Sequence, residues 1–507
     1  MKDSLSNNKR IAKNTIYLYM RMIVIMAITL FTSREILRIL GVVDFGIYNV
    51  VAGVVVLLHF LQTGLTSAFQ RYLAYDIGKG DENQLNKTFS MSVNASICIA
   101  FVVIILSETI GLWFVYTQLV IPSDRMSAAL AVYHFSVFTF VCYILRIPYN
   151  SAIVAYERMS FYAYISILES ILKLVVVYLL VIMAFDRLHF YALLLLFISI
   201  IMLVAYYFYV ISQFKSCQYK YVWNKRFFYE LISFSGWSML GGVANMTAQQ
   251  GGNVLLNMFS GLVANASFGI ANQVSQAIYA FSRNFQVAFS PQITKLYAIS
   301  ANKELFKLVF RSSLLSYYLM LVLAVPFIMK ADVVLHLWLK EVPRYAVGFC
   351  VLMTVYQLID AFQSPLNTLI YATGKIKNYN IWLSLMILIN LPLSYVLLKM
   401  DFPAYSVLVL RSVINFLTVV VLVIYLKGLI KFPVSDYFWQ VVARVLPVSL
   451  LSFGISAALL PFFDDSFIES LFYIVLVSII TTIAVFIFGF SKEDRNIAIL
   501  YVKKKLL

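Results

Sequence analysis

The amino-acid sequence predicts an all-α polytopic membrane protein, because of its composition, its repeated long apolar segments and an internal repeat. The chain has 507 residues, of which 62% are apolar and 12% charged, and its mean hydropathy is +0.87. A soluble domain averages about 45–50% apolar and about 25% charged residues. The composition therefore excludes an ordinary soluble enzyme, a secreted disulfide-rich domain and a disordered chain.

Fourteen segments are long and apolar enough to cross a bilayer, which requires about 20 residues for roughly 30 Å of hydrocarbon. They are residues 14–39, 45–74, 86–113, 126–151, 158–183, 188–212, 227–257, 264–290, 305–330, 344–371, 376–399, 403–427, 436–460 and 466–490. The first segment is longer than the apolar core of a signal peptide and lacks a small-residue cleavage pattern. We interpret it as a retained first span.

The distribution of Lys and Arg between the spans predicts the orientation in the membrane. With the N-terminus in the cytoplasm, 25 of these residues lie inside and 8 outside. The positive-inside rule therefore places both termini in the cytoplasm. Topology and the anionic inner leaflet account for the net charge of +16, so we expect no nucleic-acid partner. Short connecting segments leave no space for a soluble domain, and we expect the function to lie within the bilayer.

Two similar segments indicate an internal duplication. Residues 44–51 (DFGIYNVV) open the second span, and residues 267–274 (SFGIANQV) open the eighth, with Phe, Gly, Ile, Asn and Val identical at an offset of 223 residues. An even number of intervening spans gives a parallel repeat, an arrangement typical of alternating-access transporters. We therefore predict six-helix lobes at residues 1–212 and 213–427. Residues 428–507 would add two helices and a basic cytoplasmic tail.

Several local motifs resemble one family of membrane proteins. Residues 13–15 (KNT), 38–41 (RILG), 44–49 (DFGIYN) and 235–237 (SGW) resemble the Wzx-type polysaccharide transporters of the multidrug/oligosaccharidyl-lipid/polysaccharide flippase superfamily. The resemblance implies a bacterial inner-membrane flippase that moves undecaprenyl-pyrophosphate-linked oligosaccharide from the inner to the outer leaflet. Such units supply O-antigen, capsule or exopolysaccharide synthesis. The implied partners are the lipid-linked oligosaccharide, the phospholipid bilayer, a polysaccharide polymerase and a chain-length regulator.

The resemblance also implies a cationic lumen in which arginines on the first, second and eighth spans meet the pyrophosphate. The first span carries Arg21 and the eighth carries Arg283, whereas the centre of the second carries His59. Arg21 lies about two turns into its span, so a lumen role and snorkelling to the interface are both open for it. Arg411 lies one helical turn from Asn415, and a lumen role and an interhelical contact are both open for it. We predict Arg21, Arg283 and Arg411 as pyrophosphate-binding residues.

Two spans carry polar stripes at helical spacing. On the eighth span the stripe comprises Asn272, Gln276, Tyr279, Arg283 and Gln286, and on the seventh it comprises Asn245, Gln249, Asn253 and Asn257. Polar stripes cannot face lipid without unsatisfied groups, so they line a lumen or form hydrogen bonds between helices. Amides can both donate to and accept from glycan hydroxyls. We therefore predict these amides and Tyr279 as glycan-binding residues.

Four glycines accompany the stripe on the seventh span: Gly241, Gly242, Gly251 and Gly252. Glycine pairs permit bending as well as close helix packing. We predict a hinge at these positions, with tight packing as the alternative.

Titratable groups within the spans are candidates for ion coupling. Asp360 lies in the tenth span between Gln357 and Gln363, and Glu169 precedes Lys173 by one helical turn. Asp360, Glu169, Lys173 and His59 are candidates for coupling to H⁺ or Na⁺, whereas a structural ion pair or hydrogen bond is the alternative for each. No metal ligand set and no other cofactor is predicted.

Two other functions are weighed against the flippase. An ion-coupled multidrug exporter of the same superfamily predicts an anionic lumen, whereas the charges deep in these spans are mostly cationic. A membrane polysaccharide polymerase, ligase or glycosyltransferase predicts a sizeable outer loop with catalytic residues, and the sequence offers none. A GxxxxGK[ST] phosphate loop is also missing from the sequence. We therefore predict a transporter and not an enzyme.

Overall fold

The computed structural model describes residues 2–490 and residue 495, except residues 57, 119–120, 183–185 and 340–341. The side chains of residues 2–12, of several residues between 30 and 60, and of residues 118, 262 and 265 also lie outside the description. His59 belongs to this last group, as do several residues of the first copy of the repeat.

The first eight helices occupy residues up to Ala298. Their bounds are α1 Lys2–Val56, α2 His59–Lys79, α3 Glu82–Leu106, α4 Leu112–Gln118, α5 Met126–Ala155, α6 Met159–Ile182, α7 Arg187–Gln213 and α8 Lys225–Ala298. A single π-turn, Ser107–Gly111, joins α3 to α4.

Nine further helices follow. They are α9 Asn302–Met329, α10 Ala331–Leu339, α11 Ala346–Thr373, α12 Lys377–Leu388, α13 Asn390–Lys399, α14 Tyr405–Ile430, α15 Val434–Tyr437, α16 Ala443–Leu459 and α17 Phe467–Ala484. Since the described part of the chain contains helices and no strand, the predicted all-α fold is confirmed.

Within the described residues, ten helical segments have the length and hydropathy of a membrane span. They correspond to ten of the fourteen predicted spans. The other four, residues 14–39, 45–74, 227–257 and 264–290, lie in α1, α2 and α8. The chain is therefore a multi-pass membrane protein.

The long helices α1 and α8 each contain one break, and each break lies at a glycine between two predicted spans. Gly41 has φ 77° and ψ 168°, and Gly261 has φ 76° and ψ −174°. A residue with a Cβ rarely adopts positive φ, whereas glycine does so without steric cost. Gly41 precedes the copy that begins at residue 44, and Gly261 precedes the copy that begins at residue 267, so each copy lies in the helical segment that follows a glycine break.

Some predicted spans are divided between two helices. The span predicted at residues 45–74 is divided between α1 and α2, with a turn in which the Leu58 amide donates to the Val55 carbonyl. The span predicted at residues 376–399 is divided into α12 and α13 at Ile389. Pro392 lies in the first turn of α13, where the missing proline N–H has no helical partner to lose.

The chain divides into two compact units. The first comprises residues 1–242 and 287–300, and the second comprises residues 243–286 and 301–507. The first has a core on α2, α3, α5, α6 and α7, with Phe89, Ala152 and Met202 fully buried. In the second, Phe349 and Cys350 of α11 are fully buried beside α8 and α14 residues. The lobe boundaries predicted at 212/213 and 427/428 stay predictions.

Candidate functional site

A polar cavity of about 410 Å³ lies within the second unit, between parts of α8, α11, α12, α13 and α14. Its lining is rich in amide side chains, which come from α8, α11, α13 and α14. The ten lining amides are Asn245, Gln249, Asn272, Gln276, Gln286, Gln357, Gln363, Asn367, Asn390 and Asn415. Such a wall offers many neutral donors and acceptors inside a membrane-spanning bundle.

Helical periodicity explains why α8 contributes so many of these side chains. Asn272, Gln276, Tyr279 and Gln286 recur at intervals of three, four or seven residues and therefore share one face of the helix. Before the break at Gly261, Asn245 and Gln249 do the same. The structure thus brings both predicted polar stripes, in part, to one cavity.

Hydrogen bonds between neighbouring helices orient part of the amide wall. Gln357 donates through Nε2 to the Ser275 hydroxyl at 2.7 Å, which links α11 to α8. The Tyr379 hydroxyl donates to the Asn367 side chain, which links α12 to α11. Asn415 donates to the backbone carbonyl of Tyr356 at 3.4 Å, which links α14 to α11. The wall is therefore held by the helices that form it.

The lining contains one carboxylate and one guanidinium among its described residues. Asp360 is on α11 and Arg411 on α14, and the two side chains attract each other electrostatically. The Arg411 guanidinium also lies 4.8 Å from the ring centroid of Tyr356, a cation–π contact. Opposite charges of equal number leave the cavity close to neutral, so its chemistry is dominated by amides and hydroxyls.

Several predicted site residues lie elsewhere. Asn253, Asn257 and Arg283 are not among the residues that line this cavity, and Arg283 and Asn257 are exposed. Arg21 belongs to the first unit, where its guanidinium lies 4.5 Å from the ring centroid of Tyr162. The His59 side chain lies outside the described residues.

The four predicted hinge glycines all lie in the helical part of α8, whose non-helical residue is Gly261. Gly252 lines the cavity. A Cβ on Gly251 would approach the Leu391 side chain to 2.6 Å, so this glycine permits close packing against α13. Gly242 has more space, with Thr63 Oγ1 at 4.0 Å from a Cβ built there. A hinge role for these glycines stays a prediction.

A second polar cluster lies in the first unit, between α5 and α6. Lys173 Nζ donates to Glu169 Oε1 at 2.9 Å, so the helical ion pair expected from the sequence is formed. Arg146 Nη1 donates to Glu169 Oε2 at 3.0 Å, and the Tyr143 hydroxyl donates to Oε1 at 3.1 Å. Glu169 therefore joins two cations on different helices. The coupling role predicted for Glu169 and Lys173 stays a prediction.

Sequence reasoning overlooked two groups of residues. Arg146 is one of the 25 Lys and Arg residues that the sequence places on the cytoplasmic side, because it lies near the end of its predicted span, whereas its guanidinium contacts Glu169 between α5 and α6. Asn367 and Asn390 line the cavity but belong to no long polar stripe. Other polar residues nearby on the same helices could have indicated that these two amides face the cavity.

In the part of the chain that the structure describes, no three His, Cys, Asp or Glu residues are grouped as a metal site.

The structure is an all-helical, multi-pass membrane bundle with a polar cavity inside one of its two units. Solved structures share this fold. A crystal structure of a mutant MATE protein matches with a TM-score of 0.73 at 13% identity, covering 84% of this chain and 96% of that one. A multidrug resistance MATE family transporter of the MOP superfamily, in an outward-facing conformation, matches with a TM-score of 0.69, the same identity and the same coverage.

A MOP superfamily transporter from Pyrococcus furiosus, described as having a binding pocket of reversed polarity, matches with a TM-score of 0.68 at 13% identity, covering 84% of this chain and 96% of that one. Likeness at this identity establishes the fold alone. The family profile "Polysaccharide biosynthesis protein" matches residues 11–282, more than half of the chain. The chain therefore belongs to the polysaccharide biosynthesis protein family, and the resemblance to the flippase superfamily is confirmed. No curated protein sequence matches it significantly.

Proposed function

We propose that this protein is a transporter, namely a flippase that moves undecaprenyl-pyrophosphate-linked oligosaccharide units from the inner to the outer leaflet of the bacterial cytoplasmic membrane. The units would serve surface polysaccharide synthesis, and a polymerase and a chain-length regulator would act on them next. Both termini would lie in the cytoplasm. The protein would work by alternating access and would catalyse no chemical reaction.

The amide wall of the cavity is the observation that carries the proposal. Sugars present hydroxyls that donate and accept hydrogen bonds, and ten amide side chains offer both capacities without a net charge. A cavity of about 410 Å³ accommodates a short stretch of glycan rather than a whole lipid. Membership of a polysaccharide biosynthesis family agrees with such a substrate.

The alternative of a multidrug exporter fits this cavity less well. Cationic drugs favour an anionic lumen, whereas the described lining balances Asp360 with Arg411. A neutral, hydrogen-bonding wall favours a neutral, polyhydroxylated ligand.

Asp360 is the candidate for coupling transport to H⁺ or Na⁺. It is the carboxylate among the described lining residues, and amide oxygens of Gln357 and Gln363 are available on the same helix. Carboxylate and amide oxygens suit a hard cation, and a carboxylate within a span can also carry a proton. Arg21 and Arg283 stay assigned to the pyrophosphate, which bears the charge that arginine binds well.

The proposal is tested by labelling lipid-linked glycan separately in each leaflet of cells that lack the protein. Complementation with the wild-type chain should restore labelled glycan in the outer leaflet. The double variant Asn272→Leu/Gln276→Leu replaces two wall amides by apolar groups of similar size. We expect it to reduce translocation by about tenfold or more, because buried glycan hydroxyls lose their partners.

Gln273→Leu is the matched control, since Gln273 is exposed on the same helix and does not line the cavity. It should translocate glycan at the wild-type rate. Normal outer-leaflet glycan in cells without the protein would refute the flippase function. Unchanged transport by the double variant at normal abundance would remove the cavity from glycan binding.

A further inference from the structure

The segment that connects α7 to α8, residues 214–224, is held against one face of α3. Side chains four residues apart on α3 bond to backbone groups two residues apart in the segment. The pairs are Asn86 with the Gln218 carbonyl at 2.7 Å, the Ser90 hydroxyl with the Lys220 amide at 3.1 Å, and Asn94 with the Val222 carbonyl at 2.9 Å. A helix rises about 6 Å in four residues and an extended chain rises about as much in two, so the pairs stay in register. The connecting segment therefore has a fixed, extended course along α3.

This fixed course determines which side chains of the connecting segment face outward. Phe214 and Cys217 are buried, with 5% and 0% of their surface exposed. Tyr219, Tyr221 and Trp223 expose 43%, 80% and 50% of theirs. A backbone held by hydrogen bonds thus presents three large aromatic side chains on the surface of the first unit.

The same surface is positively charged. Lys215 and Lys220 of the connecting segment are exposed, and so are Lys225 and Arg226 at the start of α8. Residues 213–229 contain no Asp or Glu. Among the described residues, none of these four cations forms an ion pair. The surface therefore carries four positive charges that no neighbouring carboxylate neutralises.

The polarity of α3 indicates the depth at which this surface lies. Most residues from Glu82 to Asn94 are polar, whereas residues 95–106 are apolar apart from Ser96. The apolar part of a membrane helix lies in the hydrocarbon, and its polar end lies among the headgroups. Every α3 side chain that holds the connecting segment belongs to the polar part. The exposed rings and cations therefore lie at the membrane–water interface.

We infer that these four cations and three aromatic side chains form a binding surface for the headgroups of anionic phospholipids. Tyr and Trp are enriched at the depth of the headgroups, and Lys and Arg attract anionic lipids there. The orientation proposed above makes this leaflet the cytoplasmic one. Lipid binding itself depends neither on that orientation nor on the transported substrate.

Trp223 provides a direct measurement of the neighbouring lipid. The full-length protein is placed in phosphatidylcholine nanodiscs that contain the same fraction of brominated phosphatidylglycerol or of brominated phosphatidylcholine. Subtracting the fluorescence of Trp223→Phe isolates the signal of this residue. We expect brominated phosphatidylglycerol to quench Trp223 about threefold more strongly than brominated phosphatidylcholine. Equal quenching by the two lipids would overturn the inference.

Salt provides a test that needs no change in the charged residues. In 1 M sodium chloride the Debye length falls to about 3 Å, so the preference for phosphatidylglycerol should be mostly lost. A preference that persists at this salt concentration would show that charge does not select the lipid, contrary to the inference.

The triple variant Lys215→Gln/Lys220→Gln/Lys225→Gln tests the cations themselves. It removes three charges and keeps the bond to Ser90, which uses the Lys220 backbone amide. We expect the preference for phosphatidylglycerol at Trp223 to fall to about 1.5-fold or less. An unchanged preference in a folded variant would overturn the inference, and the salt test applies even if this variant does not fold.

A matched triple variant separates this surface from a general attraction between membrane-protein cations and anionic lipid. Lys79→Gln/Lys87→Gln/Arg158→Gln removes three exposed cations from the first unit. They lie at the same end of this unit, since Tyr156 stacks on Phe214 with ring centroids 4.1 Å apart. This variant should keep the wild-type preference at Trp223. Equal losses in the two triple variants would overturn the assignment to the connecting segment.

Soluble anions distinguish a lipid surface from other anion sites. Sodium pyrophosphate and sodium polyglutamate are each compared with sodium chloride at equal ionic strength, and neither should lower the lipid preference more than chloride does. A larger effect of pyrophosphate would indicate a pocket for free phosphate. A larger effect of polyglutamate would indicate a docking surface for an acidic protein. Either result would overturn the assignment to phospholipid.

Discussion

Single residues at the ends of the helices show how charge stabilises this chain outside the apolar layer. Arg125 donates from Nε to Asp44 at 2.9 Å and from Nη1 to Asp186 at 2.5 Å. Asp186 also accepts from the backbone amides of Leu188 and His189 and so caps the first turn of α7. One guanidinium thus joins α1, α5 and α7 within the first unit.

The Arg125 cluster predicts a pH-dependent stability. Partial burial raises the pKa of the Asp186 carboxyl, but hydrogen bonds from Arg125 and His189 outweigh it and lower the pKa from 3.8 to about 2. A lowered pKa stabilises the folded state above about pH 4, and the contribution is lost as pH falls towards 2. We expect Arg125→Gln to destabilise the protein by about 1–3 kcal/mol at pH 7 and by less at pH 3.

Thermal-unfolding midpoints in detergent at the two pH values measure this effect. Arg38→Gln is the control, because Arg38 forms an i,i+3 pair with Glu35 and its side chain is 71% exposed. An exposed pair contributes about 0–1 kcal/mol, so this variant should change the midpoint little. A loss in Arg125→Gln that is the same at pH 3 and pH 7 would contradict a role for the Asp186 charge.

At the residue level, the sequence predicts contacts that repeat along one helix and misses those between helices. The stripe that includes Asn272 and Gln276 follows from a 3.6-residue period, and the Glu169 to Lys173 pair follows from an i,i+4 spacing. The contact of Arg146 with Glu169 joins residues 23 positions apart on two helices. No local period encodes that distance, because it depends on how α5 packs against α6.

Among the elements, α2 illustrates how small residues let helices approach closely. A Cβ on Gly64 would lie 2.7 Å from the Ser235 carbonyl oxygen, near the start of α8. A Cβ on Gly78 would lie 2.7 Å from the Lys295 Cα, near the end of α8. Both pairs belong to the first unit, so α2 packs against both ends of α8 through its glycines.

Glycine 78 gives a prediction about this packing. Because the atoms that a new Cβ would meet are backbone atoms of Lys295, the two helices must separate to accept Gly78→Ala. We expect a destabilisation of about 1–3 kcal/mol, measured as a lower thermal-unfolding midpoint. Gly236→Ala is the control, since a Cβ there meets no atom within 4 Å and alanine favours the helix. Equal midpoints for the two variants would show that α2 and α8 are not in close contact.

The sequence predicts where apolar segments lie better than how each helix is interrupted. Ten predicted spans coincide with long apolar helices because burial in lipid requires about 20 apolar residues whatever the tertiary structure. Hydropathy does not predict backbone geometry. It therefore predicts neither the separation of α12 from α13 nor the π-turn Phe438–Val442 before α16. Gly41 and Gly261 were predicted only as positions between spans.

For the molecule as a whole, the important feature is where the chain passes from one unit to the other. It does so between residues 242 and 243, between 286 and 287, and between 300 and 301. The first crossing directly follows Gly241 and Gly242, two of the glycines predicted as a hinge from the sequence alone. The predicted amide stripe on α8 ends at Gln286, which precedes the second crossing.

Alternating access requires the backbone to change conformation where the chain joins moving bodies, which leads to a prediction for Gly242. Alanine stabilises a straight helix by roughly 0.5–1 kcal/mol relative to glycine, so Gly242→Ala should oppose any bend at this crossing. Since a Cβ at this position has Thr63 Oγ1 at 4.0 Å, the variant should fold normally. We expect translocation to slow by about two- to fivefold, with a thermal midpoint that is not lowered.

Leaflet-resolved labelling over time measures this rate. Gly269→Ala is the control, because it raises helix propensity without affecting a bend at Gly242. Gly269 lies on the same helix, within the second unit, and a Cβ there meets no atom within 4 Å. Both variants gain helix propensity, but only Gly242 adjoins a crossing between units. Slowing confined to Gly242→Ala would support the hinge. Equal slowing in both variants, or none in either, would show that the α8 backbone does not bend at Gly242 during transport.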